Sequence, residues 1–171
     1  MPQLVALSLS IAVLGAIWAF LCLGPLSGYL VVWAGFIAWG CFFHTGGDQK
    51  ALVKTICGNV FGVIVGWIAL LLVVKIGSAS AIVNAIIVGV TVFFLVIVAK
   101  VEQLSAVPAN VYGYAAVVGY SLPLLGTADI LTSAGITNPL ILLIISMVGG
   151  AIFGLVSGKV AGALTAKTAS A

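Results

Sequence analysis

The chain has almost no charge. Charged residues make up 5% of its 171 residues, arginine is absent, and the carboxylates number three. A soluble domain carries about a quarter charged residues, so this composition excludes a soluble globule. Hydrophobic residues make up 64% of the sequence, in continuous runs that are too long for the alternating strands of a barrel. The sequence therefore predicts an all-α membrane protein, with residues 1–171 as a single integral membrane domain.

The chain also has few groups that carry chemistry. The carboxylates Asp48, Glu102 and Asp129 lie in separate predicted loops, and the single histidine, His44, has no cysteine or carboxylate at metal-ligand spacing. No nucleophile motif, phosphate-binding loop, or haem or zinc signature is present. We therefore expect no enzymatic activity, no metal site and no cofactor. Because the lysines are scattered singly, we also expect no nucleic-acid partner.

Six apolar segments meet the length of a bilayer crossing, about 20 residues. They cover approximately residues 4–22, 26–43, 56–74, 81–99, 107–125 and 139–160. If the N-terminus is cytoplasmic, Lys75 alone lies outside and the other lysines face the cytoplasm: Lys50, Lys54, Lys100, Lys159 and Lys167. This bias follows the positive-inside rule. The sequence thus predicts a multi-pass protein with both termini cytoplasmic.

The predicted loops carry recognisable capping residues. Asp48 is suited to cap the third helix, and Asn138 followed by Pro139 is suited to open the sixth. The loop that holds His44 and Asp48 is either a turn with an N-cap or a vestibule or gate, in which His44 would respond to pH. The connection over residues 126–138 contains a candidate short helix at 129–134. That connection could lie at the membrane interface or fold back into the protein.

Two glycine stripes share one motif. Residues 58–66 and 150–158 both read G-x-x-F-G-x-x-x-G, and this spacing lets a second helix backbone approach closely in lipid. The helix-packing candidates are Gly58, Gly62, Gly66, Gly150, Gly154 and Gly158. The stripes are two unrelated interfaces, or they mark a duplication into residues 1–77 and 78–171. Three crossings per half would make the halves inverted repeats, with a pathway where they meet.

Neutral polar side chains stand inside the apolar segments, whereas no charged residue falls near the middle of any segment. A buried amide must bond to another helix or line a wet path. Asn59 is the strongest pathway candidate because the glycines beside it leave space. Aromatic residues at three- and four-residue spacing form a packing stripe, an interfacial belt or a slot facing a pore. The pathway candidates are Asn59, Trp33, Phe36, Trp39, Asn84, Asn110, Tyr112 and Tyr114.

Several of these features resemble a known family. The aromatic and glycine run over residues 33–43, the Gly46-Gly47 pair and the G-N-x-F-G stretch at 58–62 are similar to the YcdZ-type family of small bacterial inner-membrane proteins of unknown function. The resemblance implies a multi-helix fold in the bacterial inner membrane. It supplies no substrate and no catalytic residues.

Three functions remain open from the sequence. The first is a channel or facilitator for a small neutral solute such as urea, a short amide, an alcohol or a gas, with neutral groups replacing the solute's water. Its six short helices make a thin wall, so a homo-oligomer in the lipid bilayer is expected. The second is a non-conducting structural or accessory subunit that binds a partner through its glycine faces. The third is a secondary transporter of a small organic acid, weakened by the absence of arginine.

Overall fold

The chain folds as a bundle of helices. A computed structural model describes residues 1–77, 80–125 and 130–169, with side chains up to residue 165. Within these residues no strand forms, which confirms the predicted all-α class. The six α-helices are α1 (Gln3–Leu23), α2 (Val32–His44), α3 (Gln49–Leu72), α4 (Ala81–Ile97), α5 (Val107–Ser121) and α6 (Pro139–Ala169). A π-helical turn, Val73–Gly77, extends α3, and 3-10 turns adjoin α4 and α5.

The helices fall into a long set and a short set. Among the described residues, four helical spans are long and apolar enough to cross a membrane: Gln3–Leu23, Gln49–Gly77, Ala81–Lys100 and Pro139–Thr165. In contrast, α2 has 13 residues and α5 has 15, about 20 and 22 Å at 1.5 Å per residue, short of a hydrocarbon core of about 30 Å. The second and fifth segments are therefore confirmed as helices, but shorter ones than the full-length crossings that the sequence predicts.

The two short helices lose residues to irregular backbone at one end each. Residues 24–31 form turns around Pro25 and Gly28, whose φ is 82°, so α2 begins only at Val32. On α5 the α-helix ends at Ser121, and Pro123 lies in the 3-10 turn that follows. Proline and positive-φ glycine both oppose continued helix.

The predicted caps are confirmed. Asp48 Oδ1 accepts a hydrogen bond from the Ala51 amide at 2.7 Å at the start of α3. At α6, Asn138 Oδ1 accepts from the Leu140 amide at 2.9 Å, with Pro139 as the first helical residue. Both caps satisfy amides that the first helical turn leaves free.

The connection before α6 folds back onto the bundle in its described part, residues 130–138. Leu131 is buried, and its carbonyl oxygen accepts hydrogen bonds from Trp67 Nε1 at 2.9 Å and Asn138 Nδ2 at 3.1 Å. Residues 130–134 form turns rather than the expected short helix, and residue 129 lies outside the described residues. Of the two alternatives for this connection, the membrane interface or a fold back into the protein, its described part follows the fold back into the protein.

Two parallel helix pairs build the centre of the bundle. On α3, Gly58 lies opposite Ala109, and Gly66 lies opposite Val117 of α5, so the two helices run in the same direction. The α2–α6 pair is parallel as well, since Gly150 lies opposite Gly35 and Gly154 opposite Phe42. Beside α6, α1 runs antiparallel, with Ser10 Oγ donating to the Ser157 carbonyl oxygen at 2.8 Å. At the edge, α4 contacts α3 and α5.

The helix ends sort into two sides. One surface cavity is lined by the start of α1 and the ends of α2 and α6. Two others are lined by the starts of α3 and α5, the end of α2 and the connection after α4. We call this side the lysine-rich end because it holds Lys50, Lys54, Lys100 and Lys159. Lys75 lies at the opposite end, and the side chain of Lys167 lies outside the described residues. The described lysines are therefore grouped at the two ends of the bundle as the sequence predicts, and which end faces the cytoplasm stays a prediction.

An apolar core fills the space among the central helices α2, α3, α5 and α6. It is one contiguous cluster of buried side chains: Ala34, Ala38, Val63, Ala116, Val117, Leu142, Leu143, Met147 and Ala151. In contrast, α4 buries only Thr91 and Leu95. The peripheral helices α1 and α4 thus present mostly apolar outer faces, as expected for helices that lipid covers.

Candidate functional site

The α3–α5 pair crosses at two facing glycines. A Cβ built on Gly62 would overlap the carbonyl oxygen of Asn110, and one built on Gly113 would overlap the carbonyl oxygen of Asn59. The two backbones are therefore in direct contact. Gly58 and Gly66 extend this contact by one turn in each direction, against Ala109 and Tyr114.

The α2–α6 pair crosses in the same way. A Cβ on Gly150 would overlap the backbone of Gly35, and a Cβ on Gly154 would lie 2.9 Å from a ring carbon of Phe42. At Gly158, however, a Cβ would lie 3.7 Å from Phe43, which is ordinary packing distance. Five of the six packing candidates therefore lie in a close crossing, and Gly158 does not.

At the α2–α6 crossing the buried serines are hydrogen bonded. Ser146 Oγ donates to the Leu142 carbonyl oxygen at 2.7 Å and accepts from the Val31 amide at 2.9 Å. Ser157 Oγ donates to the Gly154 carbonyl oxygen at 2.8 Å and accepts from Trp39 Nε1 at 3.0 Å. These bonds join α2 to α6, and each serine already donates its hydroxyl hydrogen to a backbone carbonyl oxygen.

At the α3–α5 crossing the buried polar groups are largely unpaired. The Asn59 side chain is 1% exposed, and neither its amide nitrogen nor its oxygen has a hydrogen-bond partner among the described residues. Thr55, one turn earlier on the same face of α3, is 0% exposed, and among the described residues its hydroxyl has no partner stronger than the weakly bonding Cys41 thiol beside it. Asn110 Oδ1 also has no hydrogen-bond partner among these residues. We call Thr55, Asn59 and Asn110 the polar cluster.

Asn110 has a second role. Its Nδ2 donates to the carbonyl oxygens of Leu95 at 2.9 Å and Leu104 at 3.1 Å. These bonds hold the end of α4 and the following 3-10 turn against α5. The Nδ2 atom of Asn110 thus has a structural role, whereas its Oδ1, which lies beside Gly58, has no hydrogen-bond partner among the described residues.

An unpaired buried polar group costs about 1–3 kcal/mol. The polar cluster concentrates four such atoms within about two helical turns of the Gly62–Gly113 contact. Neutral donors and acceptors held in an apolar surrounding bind a ligand that offers complementary groups, because the ligand replaces missing hydrogen bonds. The arrangement therefore suits a small molecule that both donates and accepts.

The remaining pathway candidates lie apart from the polar cluster. Trp33 and Phe36 are 43% and 40% exposed on the outside of α2. Trp39 is buried, and its ring stacks on Phe36 with 5.7 Å between the ring centroids. Near the opposite end, Asn84 Oδ1 lies against Gly77.

The two tyrosines of α5 take different positions. Tyr114 Oη and Thr91 Oγ1 are hydrogen bonded at 3.1 Å, which ties α5 to α4. Tyr112 is partly buried against the apolar core. Of the eight pathway candidates, Asn59 and Asn110 therefore belong to the polar cluster, and Phe36 and Trp39 form a separate stacked pair.

The gate candidates lie at the lysine-rich end. His44 lines a cavity of about 260 Å³ with Thr45, Lys54, Ser105, Ala106 and Pro108. Asp48 is exposed and caps α3. Among the described residues, no group of three or more histidine, cysteine, aspartate or glutamate side chains is placed to hold a metal ion.

Sequence reasoning missed Thr55. Its spacing of four residues from Asn59 puts both side chains on one helix face, so periodicity alone was a sufficient signal. Ser121 Oγ, at the other end of α5, is also buried and unpaired, but no spacing relates it to Asn59.

These features define a protein that is all-helical over its described residues, where four helices are long and apolar enough to cross a membrane and two glycine crossings each pair one of them with a short helix. The chain belongs to the family described as "Protein of unknown function (DUF1097)", whose pattern matches residues 8–162. The expectation of a family of unknown function is thereby confirmed, whereas its YcdZ type and bacterial origin remain predictions. No curated protein and no solved structure matches the chain.

Proposed function

We propose that the protein is an integral membrane protein that carries a small neutral solute across the bilayer along the α3–α5 crossing. The observation that carries the proposal is Asn59, a fully buried amide with both polar atoms unpaired. In a helix bundle surrounded by lipid, such a group is costly and is retained for a partner or a path. A urea-like, amide or alcohol solute offers the hydrogen bonds that Asn59 lacks.

The distribution of charge supports a neutral solute. No charged side chain in the described part of the chain is buried, and ion-coupled transport commonly uses such groups inside the membrane. The chemistry of transfer is then an exchange of hydrogen bonds: the solute leaves water, bonds to Thr55 and Asn59, and returns to water. Flux should not depend on membrane potential.

The arrangement of helices supports two inverted repeats. If α1, α2 and α3 correspond to α4, α5 and α6, the α3–α5 pair corresponds to the α6–α2 pair. Both pairs are parallel, and both have a glycine crossing. The short helices α2 and α5 also correspond, as do the long ones. In the sequence motif Gly62 aligns with Gly154, but the crossing glycines are Gly62 and Gly150, so the two crossings differ by one helical turn. Inverted repeats place a solute site near the midplane.

The location and assembly follow from the same proposal. We place the protein in the bacterial inner membrane, with the lysine-rich end and both termini in the cytoplasm. The helices α1 and α4 leave large apolar faces uncovered. In a homo-oligomer these faces contact other copies of the chain, and the remaining apolar surface contacts lipid. Crosslinking in membranes would report the number of copies.

A non-conducting accessory subunit is the alternative. Its support is the outer face of α4, where Ile82 is 74% exposed and Phe93 is 60% exposed. The glycine stripes do not serve this alternative, because α5 and α2 of the same chain already cover them. Purification with a foreign subunit at fixed stoichiometry, together with no solute flux, would favour it. Transport of an organic acid has no supporting cation inside the described bundle.

Stopped-flow light scattering on proteoliposomes tests the function. Vesicles with the purified protein are shocked with urea, acetamide, glycerol or formamide, and swelling is compared with empty vesicles. We expect faster swelling for one of these solutes, lost in Asn59→Leu. Ser157→Ala is the matched control, because it also removes a buried polar group, but at the other crossing. Loss of flux in both variants, or in neither, would contradict the assignment to Asn59.

A further inference from the structure

The cavity at the lysine-rich end connects to the polar cluster through side chains alone. Thr45 lines that cavity, and its Oγ1 lies 3.8 Å from Cys41 Sγ. The Cys41 side chain in turn faces that of Thr55 across α2 and α3. Thr55 and Asn59 then follow at one-turn spacing, about 6 Å apart along the axis of α3. These four side chains form a continuous polar or weakly polar line from the surface to the buried amide.

Beyond Asn59 the character of the interior changes. One turn further toward the opposite end, Val63 is 0% exposed and belongs to the apolar core. The neighbouring members from α5 and α6 are also fully buried: Val117, Leu143 and Met147. We call these four residues the apolar layer. Water and polar solutes avoid such a constriction, which gates other membrane pathways by dewetting.

We propose that solute reaches Asn59 from the lysine-rich end along Thr45, Cys41 and Thr55, and that the apolar layer closes the route toward the opposite end. This inference rests on the proposed function and adds its entrance and its barrier. In this structure Cys41, Thr55 and Asn59 are all buried, so entry also requires the side chains between the cavity and Asn59 to move. Passage requires the apolar layer to part.

Two native cysteines provide a matched test of the entrance. Cys41 and Cys22 are 1% and 4% exposed, respectively, but Cys22 lies at the other end of the bundle in the aromatic cluster around Trp18 and Trp39. Two variants each keep one of these thiols: Cys22→Ala with Cys57→Ala, and Cys41→Ala with Cys57→Ala. A membrane-impermeant methanethiosulfonate reagent is applied to each face of oriented vesicles, and modification is read by mass spectrometry.

From the lysine-rich face we expect Cys41 to react at least about tenfold faster than Cys22, because reactivity at equal burial follows solvent access. Modification of Cys41 should block solute flux, and a saturating concentration of the transported solute should slow it. Equal rates for the two thiols, or faster reaction of Cys41 from the opposite face, would overturn the entrance.

The barrier is tested by opening the apolar layer. Met147→Ala should raise solute flux several-fold, because it removes volume where the route is closed. Leu95→Ala is the matched control: Leu95 is 1% exposed in the separate cluster between α4 and α5, so its truncation creates a cavity off the route. Unfolding midpoints in detergent show whether either variant has lost its fold. Unchanged flux in folded Met147→Ala would overturn the barrier.

The two levels of the proposal fail differently. Solute flux that requires Asn59, with Cys41 unreactive from the lysine-rich face, would overturn this route and leave the proposed function standing. Fast modification of Cys41 with no flux for any solute would overturn the proposed function while supporting a water-filled entrance.

Discussion

The two glycine crossings use the same backbone contact and differ in the polar side chains beside it. At α2–α6, Ser146, Ser157 and Trp39 satisfy one another or nearby backbone groups. At α3–α5, Asn59 is equally buried and unpaired, and Thr55 has only the weakly bonding Cys41 thiol beside its hydroxyl. Close helix packing therefore does not explain the polar groups of α3, because the other crossing achieves it with none left open. The difference supports the proposal that the open polar groups of α3–α5 serve a solute, whereas the polar groups of α2–α6 serve the fold.

Aromatic packing reinforces the structural crossing. Trp18, Trp39 and Phe153 meet beside α2–α6, with 5.2 Å between the ring centroids of Trp18 and Phe153. Such pairs add about 0.5–1.5 kcal/mol beyond area burial. The α3–α5 crossing has Tyr114, whose hydroxyl bonds to Thr91, but no comparable cluster of rings.

The largest effect should come from Gly62→Leu, which disrupts the close backbone contact that both glycine crossings share. Its side chain would overlap the Asn110 carbonyl oxygen, a backbone atom that cannot move without separating α3 from α5. We expect loss of folded protein, beyond the 1–3 kcal/mol or so of ordinary overpacking. Gly150→Leu should be as severe. Size-exclusion profiles in detergent measure this, with Gly119→Ala as control because its Cβ meets open space. A monodisperse Gly62→Leu protein would contradict the backbone contact.

Asn59→Leu should separate stability from function. The substitution replaces two unpaired buried atoms with an apolar side chain of similar size, so we expect the free energy of unfolding to rise by about 1–3 kcal/mol while solute flux is lost. Denaturant titration in micelles, alongside the flux assay, checks both. A loss of stability would mean that the amide has a structural partner.

Ser157→Ala should have the opposite signature. It leaves Trp39 Nε1 without its acceptor, so we expect the free energy of unfolding to fall by about 1 kcal/mol, in line with hydrogen bonds between membrane helices. Flux should be retained. The same denaturant titration measures the change, and Trp39→Phe should cost less stability in the Ser157→Ala background than in the wild-type chain if the two groups act as a pair.

The smallest effect is expected from Thr55→Val. Valine has nearly the shape of threonine, and the lost hydroxyl has only the weakly bonding Cys41 thiol beside it, so stability should rise by about 1 kcal/mol or less. Flux should fall severalfold because the step before Asn59 is removed. Thr91→Val is the comparison: it breaks the bond to Tyr114 and should lower stability without reducing flux. Equal effects of the two variants on flux would remove the distinction between the crossings.

Local features were predictable where the cause is local. Asp48 and Asn138 cap their helices through amides two or three residues away, and the turn between α2 and α3 uses Gly46 and Gly47 with φ of 131° and 71°. The stripe at Gly58, Gly62 and Gly66 likewise follows from helical spacing. In contrast, the lengths of α2 and α5 were not predicted, because Gly28 and Pro123 lie in flanks that are as apolar as the helices, and hydropathy alone continues each segment through them.

By itself, the sequence determined the all-helical class, the six apolar segments that become the six helices, and the grouping of the described lysines toward one end, since hydropathy and charge are properties of single residues. Which glycine meets which backbone, and which buried amide lacks a partner, depended on the tertiary structure. A glycine stripe accepts any backbone at van der Waals distance, and an asparagine in an apolar segment is satisfied or open only according to what packs beside it. Asn59 and Ser157 are both polar residues among glycines, and only the crossing helices make one open and the other satisfied.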